Sequence, residues 1–291
     1  MKKNTKAVLV VISLLLSASV GLNVYLLFFS AESYLQSTEE IYIMESGILR
    51  NNLKMRQTGE VELNYDFDHE DYAQLIERYE IDWIAGEGSE FQRAVRLMDE
   101  FAPRLYHESW YDNHIEMKAL PLLEYSLDNR SQGINCRNKA QILNEMCLAL
   151  GIYSRKVWIM PNSGYDTDCH VVNEIWDTAY EKWIMLDITN NQYWVDENGT
   201  PLSVLEIRTK GAMQKFCTPV TVGEKLNNLE KLKQKHISEF LYIMKNMVYM
   251  QYCDVYSVGE SETIYLLFPE NLDTGYDKFI SASAVERPPV S

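Results

Sequence analysis

Three residues have the types and local settings that thiol chemistry requires. Cys136 stands in "SQGINCRNKAQIL", residues 131–143, where a polar loop leads into a helical pattern. His170 and Asp187 stand in two strand-like segments, "CHVVNEIW" and "KWIMLDIT". A cysteine nucleophile needs a base that takes its proton, and the base needs a third group that orients it. The three residues therefore predict a nucleophile, a base and an orienting carboxylate.

The segments that carry His170 and Asp187 predict a β-hairpin. With "DTAY", residues 177–180, as a four-residue loop, Trp176 faces Glu181. The same register places His170 directly across from Asp187, on one face, with Cβ atoms about 4.5–5.5 Å apart. The carboxylate can then accept the imidazole N–H and fix its tautomer. A shift of one residue would move Asp187 to the other face, so this prediction depends on the loop length.

The helix that begins at Cys136 is predicted to direct the thiol inward. One apolar stripe recurs at spacings of three and four: Ala140, Leu143, Cys147 and Leu150. Cys136 extends this stripe by one turn, towards the sheet on which the helix should pack. Asn135 is a suitable N-cap and Gly151 a suitable C-terminal stop. At the first turn, unpaired N–H groups and the helix dipole favour a thiolate and could stabilise an oxyanion.

In this order the segments "GINCRNKAQILNEMCLALGIYSRKVWI", "CHVVNEIWD" and "KWIMLDIT" resemble the transglutaminase-like superfamily of thiol enzymes, in its bacterial membrane-anchored form. The resemblance covers roughly residues 88–208. It implies an α+β fold with a papain-like core, in which a helical N-terminal part packs on an antiparallel sheet. It also implies a catalytic triad of Cys136, His170 and Asp187.

Three positions depart from the common pattern of that superfamily. Ile134 stands two residues before the cysteine, where many members have glycine. Ile188 separates the aspartate from Thr189, and Val172 replaces an aromatic residue two positions after the histidine. These departures concern the packing around the site and leave the substrate open.

Each of the three residues also has a structural interpretation. Free cysteine is among the most buried residue types, so Cys136 alone would be taken for a core residue, and His170 alone for a structural histidine. Asp187 is more telling, because a carboxylate on an apolar strand needs a partner. Three hypotheses follow: a thiol enzyme acting on amide bonds, with water or an amine resolving the thioester; a non-catalytic binding or scaffold domain; and a plain surface domain.

The remaining cysteines and motifs do not predict a disulfide framework, a metal or a cofactor. The five cysteines are an odd number without a CxxC pair. Cys147 is predicted in the core, Cys169 on the face opposite to His170, and Cys217 and Cys253 have no informative context. HExxH, paired CxxC, EF-hand and phosphate-loop motifs are missing from the sequence. We therefore expect no metal site and no cofactor.

Charge and hydropathy predict the cellular location of the chain and exclude one class of partner. The 291 residues carry a net charge of −15, and because only three lysines precede residue 31, the remainder carries −18. Such an acidic surface argues against nucleic acid as a partner. Residues 7–29 are uncharged, and at about 1.5 Å per residue they could span a membrane core of about 30 Å. The lysines before this run predict a cytoplasmic segment 1–6 and an extracytoplasmic main domain.

A cleaved signal peptide is the alternative for residues 7–29, because "SAS" at 17–19 resembles a cleavage site. After the predicted signal anchor we expect a juxtamembrane and flanking region over 30–87 and the transglutaminase-like domain over 88–208. A helical extension with short strands is expected over 209–291. The expected partners are the membrane and a protein or peptide substrate, such as a cell-wall peptide.

Overall fold

The computed structural model describes residues 16, 17, 19, 38–224 and 229–289. The chain divides into two units, residues 1–44 and 45–291. The predicted membrane span lies outside the described residues except for positions 16, 17 and 19, which are helical. No helix within the described part of the chain combines the length and the apolar character that crossing a bilayer requires.

The helices and strands alternate in blocks along the chain. The helices in the described ranges are α1 (38–51), α2 (Glu70–Tyr79), α3 (Ile81–Ala85), α4 (Glu90–Phe101), α5 (Ala119–Ser126), α6 (Cys136–Ala149), α7 (Val204–Ala212), α8 (Leu229–Lys245) and α9 (Ala282–Glu286). The strands there are β1 (Asn64–Tyr65), β2 (Ser154–Met160), β3 (His170–Asp177), β4 (Lys182–Asp187), β5 (Gln192–Val195), β6 (Thr218–Thr221), β7 (Tyr249–Cys253), β8 (Val255–Tyr256) and β9 (Ile264–Leu267).

The main sheet of the described residues has seven strands in the order β6-β5-β4-β3-β2-β7-β9. All of its strand pairs are antiparallel, because β2 to β6 follow one another as a meander and β7 joins the free edge of β2. A separate parallel pair joins β1 to β8. The predicted mixed α+β class with an antiparallel sheet is confirmed. The region 209–291 supplies three strands of this sheet, so it completes the core.

The predicted hairpin register between β3 and β4 is wrong by two residues. Trp176 pairs with Trp183, and Asp177 pairs with Lys182, so the loop covers residues 178–181. The cause is the side chain of Asp177. Its carboxylate accepts the N–H groups of the two residues that follow Thr178, at 2.9 and 3.0 Å, and thereby fixes the turn one residue later than predicted.

The corrected register changes how His170 and Asp187 are related. They are offset by two residues instead of being directly opposed, because the ladder places Leu186 across from Asn173. Side chains alternate with a period of two, so a shift of two residues keeps both on the same face. The two residues therefore share a face, as predicted, although the register on which that prediction was based is wrong.

Helix α6 lies at the centre of the molecule. All its residues from Asn138 to Leu148 are buried, because the helix packs on β2 and β3 and is surrounded by α2, α4 and α5. The prediction of a single buried stripe is therefore wrong. Polar residues inside this helix find partners instead: the Glu145 carboxylate accepts N–H groups from Ala119, Gly259 and Gln141 at 2.6–3.1 Å. The predicted cap at Asn135 is confirmed.

The sequence patterns also predict a strand at 61–67, helices at about 90–106 and 224–250, and a short strand near 278–283, and these elements have different bounds in the structure. The strand expected at 61–67 is reduced to β1, and the helix expected at 90–106 gives way to a 3-10 turn at Ala102–Arg104, which contains Pro103. The helix expected at roughly 224–250 ends at Lys245, before β7 begins. The strand expected near 278–283 is a single bridge at Phe279 followed by α9.

Candidate active site

The backbone around Cys136 is held by a network of asparagines. Cys136 is the first residue of α6, and Asn135 caps the helix by accepting the N–H of Asn138 at 3.2 Å. The Asn138 side chain in turn accepts the N–H of Asn135 at 3.1 Å. The side-chain oxygen of Asn113 accepts both asparagine NH2 groups at 3.1 Å. This closed set fixes the start of the helix and the direction of its free N–H groups.

His170 and Asp187 form a buried hydrogen-bonded pair. His170 is the first residue of β3 and Asp187 the last of β4, and the His170 Nε2–H donates to Asp187 Oδ2 at 2.9 Å. The carboxylate also accepts the N–H groups of Thr189 and Asn190 at 3.0 and 3.3 Å, and the Asn190 side-chain amide at 2.8 Å. Its lone pairs are thus engaged from both sides, which holds it ionised and aimed at the ring.

The thiol reaches the imidazole at the beginning of β3. Asn173 donates to the carbonyl of Ala140 at 2.9 Å, so α6 covers the face of β3 that carries Asn173. His170 has the opposite strand parity, and the prediction that the helix packs on its face is wrong. The Cys136 sulfur instead lies near the start of the strand, close enough to the His170 ring and the N–H of Val171 for both to lower the pKa of the thiol. Since Nε2 faces Asp187, the ring atom left for the thiol is Nδ1.

The electrostatics of the three residues favour an ion pair of thiolate and imidazolium. Burial would raise the pKa of the Cys136 thiol, but the hydrogen bond and positive charge of His170 outweigh it and lower that pKa. Burial would lower the pKa of His170, but the adjacent Asp187 carboxylate and its hydrogen bond raise it to about 10. The pKa of Asp187 is lowered, because the charge of His170 and its hydrogen bonds outweigh burial.

Cys136 is half-buried at the bottom of an open groove of about 670 Å³. The wall of the groove includes His107, Trp110, Arg137, Trp158, Cys169 and Tyr242. A second cavity, of about 350 Å³, lies beside the groove and shares His107, His170 and Tyr242 with it. Substrate atoms can therefore approach the thiol from solvent while His170 and Asp187 stay buried.

Cys169 is not where the sequence placed it. It precedes β3, so strand alternation does not apply to it, and it lines the groove together with Cys136. Burial raises the pKa of its thiol, which therefore stays protonated near neutral pH. Cys147 is buried in the core as predicted, and burial raises the pKa of both Cys147 and Cys217 to about 12. All five cysteines are free.

Three residues near the site were not singled out by the sequence patterns. His107 and Tyr242 come from distant segments and reach the groove only through the fold. Lys139 is buried one turn after Cys136, and burial lowers its pKa to about 8 against the opposing charges of Asp187 and Cys136. The spacing of three from Cys136 was the one available signal for Lys139. Among the described residues no cluster of three or more His, Cys, Asp or Glu side chains could hold a metal ion.

Comparison with known proteins finds a similarity at the level of a superfamily. The sequence model of the transglutaminase-like superfamily matches residues 78–188, which contain α3 to α6, β2 to β4 and the three residues of the candidate site. No curated protein matches this chain. No solved structure matches it either. Residues 78–188 of the chain are therefore similar to the transglutaminase-like superfamily.

Proposed function

We propose that this protein is a cysteine-dependent enzyme that cleaves or transfers the acyl group of amide bonds. Cys136 is the nucleophile, His170 the general acid and base, and Asp187 the group that orients His170. The observation that carries the proposal is the Nε2–Oδ2 hydrogen bond of 2.9 Å, next to a thiol whose pKa is lowered although it is half-buried. Burial alone would have the opposite effect on a cysteine that only fills space.

The proposed reaction begins with attack of the Cys136 sulfur on the substrate carbonyl carbon. The C=O electron pair moves to oxygen, and as the tetrahedral intermediate collapses the C–N bond breaks. The leaving amine takes the proton of His170, and a thioester on Cys136 remains. Water or an amine then attacks the thioester while His170 accepts the proton of the attacking group, which releases the thiolate.

A non-catalytic scaffold domain is the alternative hypothesis. A scaffold would not require the thiol to touch an imidazole or to open on a groove. Here His170 lies close enough to lower the pKa of the Cys136 thiol, and Cys136 lines a groove open to solvent. Both features support the catalytic hypothesis, and no described feature specifically favours the scaffold.

We further propose that the enzyme works outside the cytoplasm, anchored by residues 7–29, on a protein or peptide substrate. The proposal rests on the uncharged run, on the three lysines that precede it and on the acidic charge of the remainder. Protease added to intact cells should digest the main domain while an epitope at the N-terminus stays protected. Protection of both ends would contradict the proposed orientation.

The nucleophile is tested by alkylation with iodoacetamide at neutral pH. Trypsin cleaves after Arg130 and Arg137, so the peptide 131–137 reports on Cys136 alone. We expect this peptide to be labelled at least about tenfold faster than the same peptide in unfolded protein, because the thiol pKa is lowered. Equal rates would contradict an activated nucleophile.

The reaction type is tested with a panel of amide and peptide substrates, with and without an added primary amine. Wild type should turn over at least one of them, and Cys136→Ala should have no thiol-dependent turnover. Cys147→Ala is the control for loss of a cysteine from the same helix, because Cys147 is in the core. Amine-dependent product identifies acyl transfer, and a free acid alone identifies hydrolysis. Turnover that persists in folded Cys136→Ala would refute the proposal.

A further inference from the structure

The proposed reaction places negative charge on the substrate oxygen, and the groove must supply donors for it. One donor is the N–H of Cys136, since the first residue of a helix has no intrahelical acceptor for this group. Such oxyanions are usually held by two donors, and the second has to come from the wall of the groove. The candidates are the side chains that line the groove with Cys136 and carry N–H or O–H groups.

Most of these wall donors already have an acceptor. The amides of Asn113 and Asn135 donate to the Tyr111 carbonyl and to Asn113 itself, at 3.2 and 3.1 Å. The Arg137 guanidinium donates to Glu260. The Tyr242 hydroxyl donates to Asp168 at 3.3 Å. These four groups could turn to the substrate only by giving up bonds that organise the wall.

Besides the hydroxyls of Ser109 and Thr167 and the ring of His170, which bonds Asp187, two indoles and one imidazole remain as nitrogen donors in the wall. Trp110 is 90% exposed at the rim, so its ring is not fixed relative to Cys136. Trp158 lies within β2, and the Lys156 ammonium group lies over its ring, 4.9 Å from the ring centroid. His107 lines the groove and also the second cavity behind His170. Its position relative to Cys136 is set by backbone pairing, which is the arrangement that preorganised donors require.

That pairing joins His107 to the loop directly before the nucleophile. His107 and Ile134 form a parallel bridge, in which Ile134 donates to the Tyr106 carbonyl at 2.9 Å and Glu108 donates to the Ile134 carbonyl at 3.1 Å. Ile134 is two residues before Cys136. The backbone of His107 and the first turn of α6 are therefore held by one local structure, independently of the His170 strand.

His107 is exposed at the groove wall, and its surroundings favour the neutral form of the ring, which suits a donor. Partial burial, together with the positive charges of Lys139 and His170, lowers the pKa of His107 against the opposing charge of Asp187. Its Nε2 lies 2.9 Å from the Ser109 hydroxyl. When that hydroxyl donates to Nε2, the ring proton is on Nδ1 and is available to an acceptor in the groove.

We propose that His107 is a further catalytic residue, which donates a ring N–H to the carbonyl oxygen of the substrate while Cys136 attacks. This inference rests on the proposed function. As the S–C bond forms, the π electrons of the C=O bond move to the oxygen. The resulting oxyanion accepts hydrogen bonds from the Cys136 N–H and the His107 N–H. Both donors keep their protons when the C–N bond breaks and the carbonyl re-forms. The proton that leaves with the amine comes from His170.

Two probes separate this role from a structural one in the full-length chain. Acylation of Cys136 by p-nitrophenyl acetate passes through an oxyanion, whereas alkylation by iodoacetamide does not. We expect His107→Ala to lower the rate of p-nitrophenolate release about 10²-fold, the loss typical of one oxyanion donor. The rate of alkylation of peptide 131–137 should stay at the wild-type value. His107→Gln, which keeps an N–H donor, should recover part of the acylation rate.

Trp158→Phe keeps an aromatic ring in the wall and tests the competing indole N–H. The control variant is His114→Ala, which removes an exposed imidazole that does not line the groove. Both variants should acylate at the wild-type rate. The inference is overturned if His107→Ala acylates normally, if it slows alkylation as much as acylation, or if Trp158→Phe shows the loss instead. A wild-type protein whose Cys136 is neither activated towards iodoacetamide nor acylated would refute the proposed function, and the role of His107 with it.

Discussion

At the scale of single residues, Cys136 and His170 shift each other's pKa in opposite directions. The thiol loses its proton more easily because the imidazole is charged, and the imidazole keeps its proton because Asp187 is beside it. Neither shift would exist if only burial acted on the two groups, since burial favours the neutral form of both. The pair therefore depends on the contact with Asp187, which lies on a different strand from His170.

The pH dependence of the two reactions of Cys136 should reveal this pair. Alkylation rises with the thiolate fraction, so its midpoint should lie below pH 9, the ordinary pKa of the thiol. Proton transfer to a leaving amine also needs the imidazolium, which is lost as the pH rises through about 10. As the pH increases, the turnover of an amide substrate should therefore rise with a midpoint below pH 9 and then decline near pH 10. Stopped-flow alkylation between pH 5 and 11 measures the rise with thiolate formation. Steady-state rates over the same range also measure the decline at high pH, the alkaline limb.

Asp187→Asn is the matched control for this profile. Removing the carboxylate charge should move the alkaline limb from about 10 towards the ordinary histidine value, and the alkylation midpoint should rise because the thiolate loses its partner. Val172, which neighbours His170 on the same face of β3, can be changed to Ala without altering any charge. An alkylation midpoint at pH 9 or above in wild type would contradict the ion pair.

At the scale of elements, the loop before α6 is fixed by the segment that contains His107. Gly133 lies against this segment so closely that a Cβ would stand 2.8 Å from the Glu108 Cβ and 3.2 Å from the Tyr106 carbonyl oxygen. One of the two contacts is with backbone, which cannot turn aside as the end of a flexible side chain could. Glycine at 133 thus permits the pairing that positions both Cys136 and His107.

Gly133→Ala should therefore destabilise the protein and disturb the site. The required shift of the paired segment should cost about 1–3 kcal/mol of the free energy of unfolding, as for other overpacked sites. Urea unfolding monitored by tryptophan fluorescence measures this loss, and the acylation rate should fall as well. Gly164→Ala is the control, because a Cβ there meets no atom within 4 Å. A Gly133→Ala protein of wild-type stability would contradict the close approach.

At the scale of the whole molecule, a buried ion pair joins the central strands to α7. The Arg155 guanidinium donates to Glu174 at 2.7 and 3.0 Å. Its Cζ lies over the Trp183 ring, 3.8 Å from the ring centroid. The second oxygen of Glu174 accepts the N–H of Val204 at the start of α7, at 2.9 Å. From its position on β3, this carboxylate accepts hydrogen bonds both from a side chain of β2 and from the first turn of α7.

Arg155→Met should be strongly destabilising, because it leaves the Glu174 carboxylate buried without its partner. Loss of one member of a buried pair typically costs about 3–5 kcal/mol of the free energy of unfolding. Arg78→Met is the control: Arg78 pairs with Glu124 at the surface, and its loss should change the unfolding midpoint little. Equal stability of the two variants would show that the pair does not support the core. Chemical denaturation at pH 7 compares them.

Much of the fold and the site could be predicted because local patterns carried the information. The cap at Asn135, the helix after it and the three strands that follow are set by residues close in sequence. The shared face of His170 and Asp187 was predicted although the register was wrong, since an error of two residues preserves side-chain parity. The register itself depended on the bonds of the Asp177 side chain to the turn, which spacing alone does not show.

The sequence by itself determined which chemistry is available: a cysteine at a helix start, a histidine and an aspartate on consecutive strands, and the similarity of residues 78–188 to the transglutaminase-like superfamily. Only the tertiary structure decided that α6 is buried on all sides, that β7 joins β2, and that Cys169 and His107 line the same groove as Cys136. Caps, turns and strand parity act over a few residues, whereas these contacts join segments far apart in the chain. Their positions follow from packing of the whole core, for which no local pattern is a substitute.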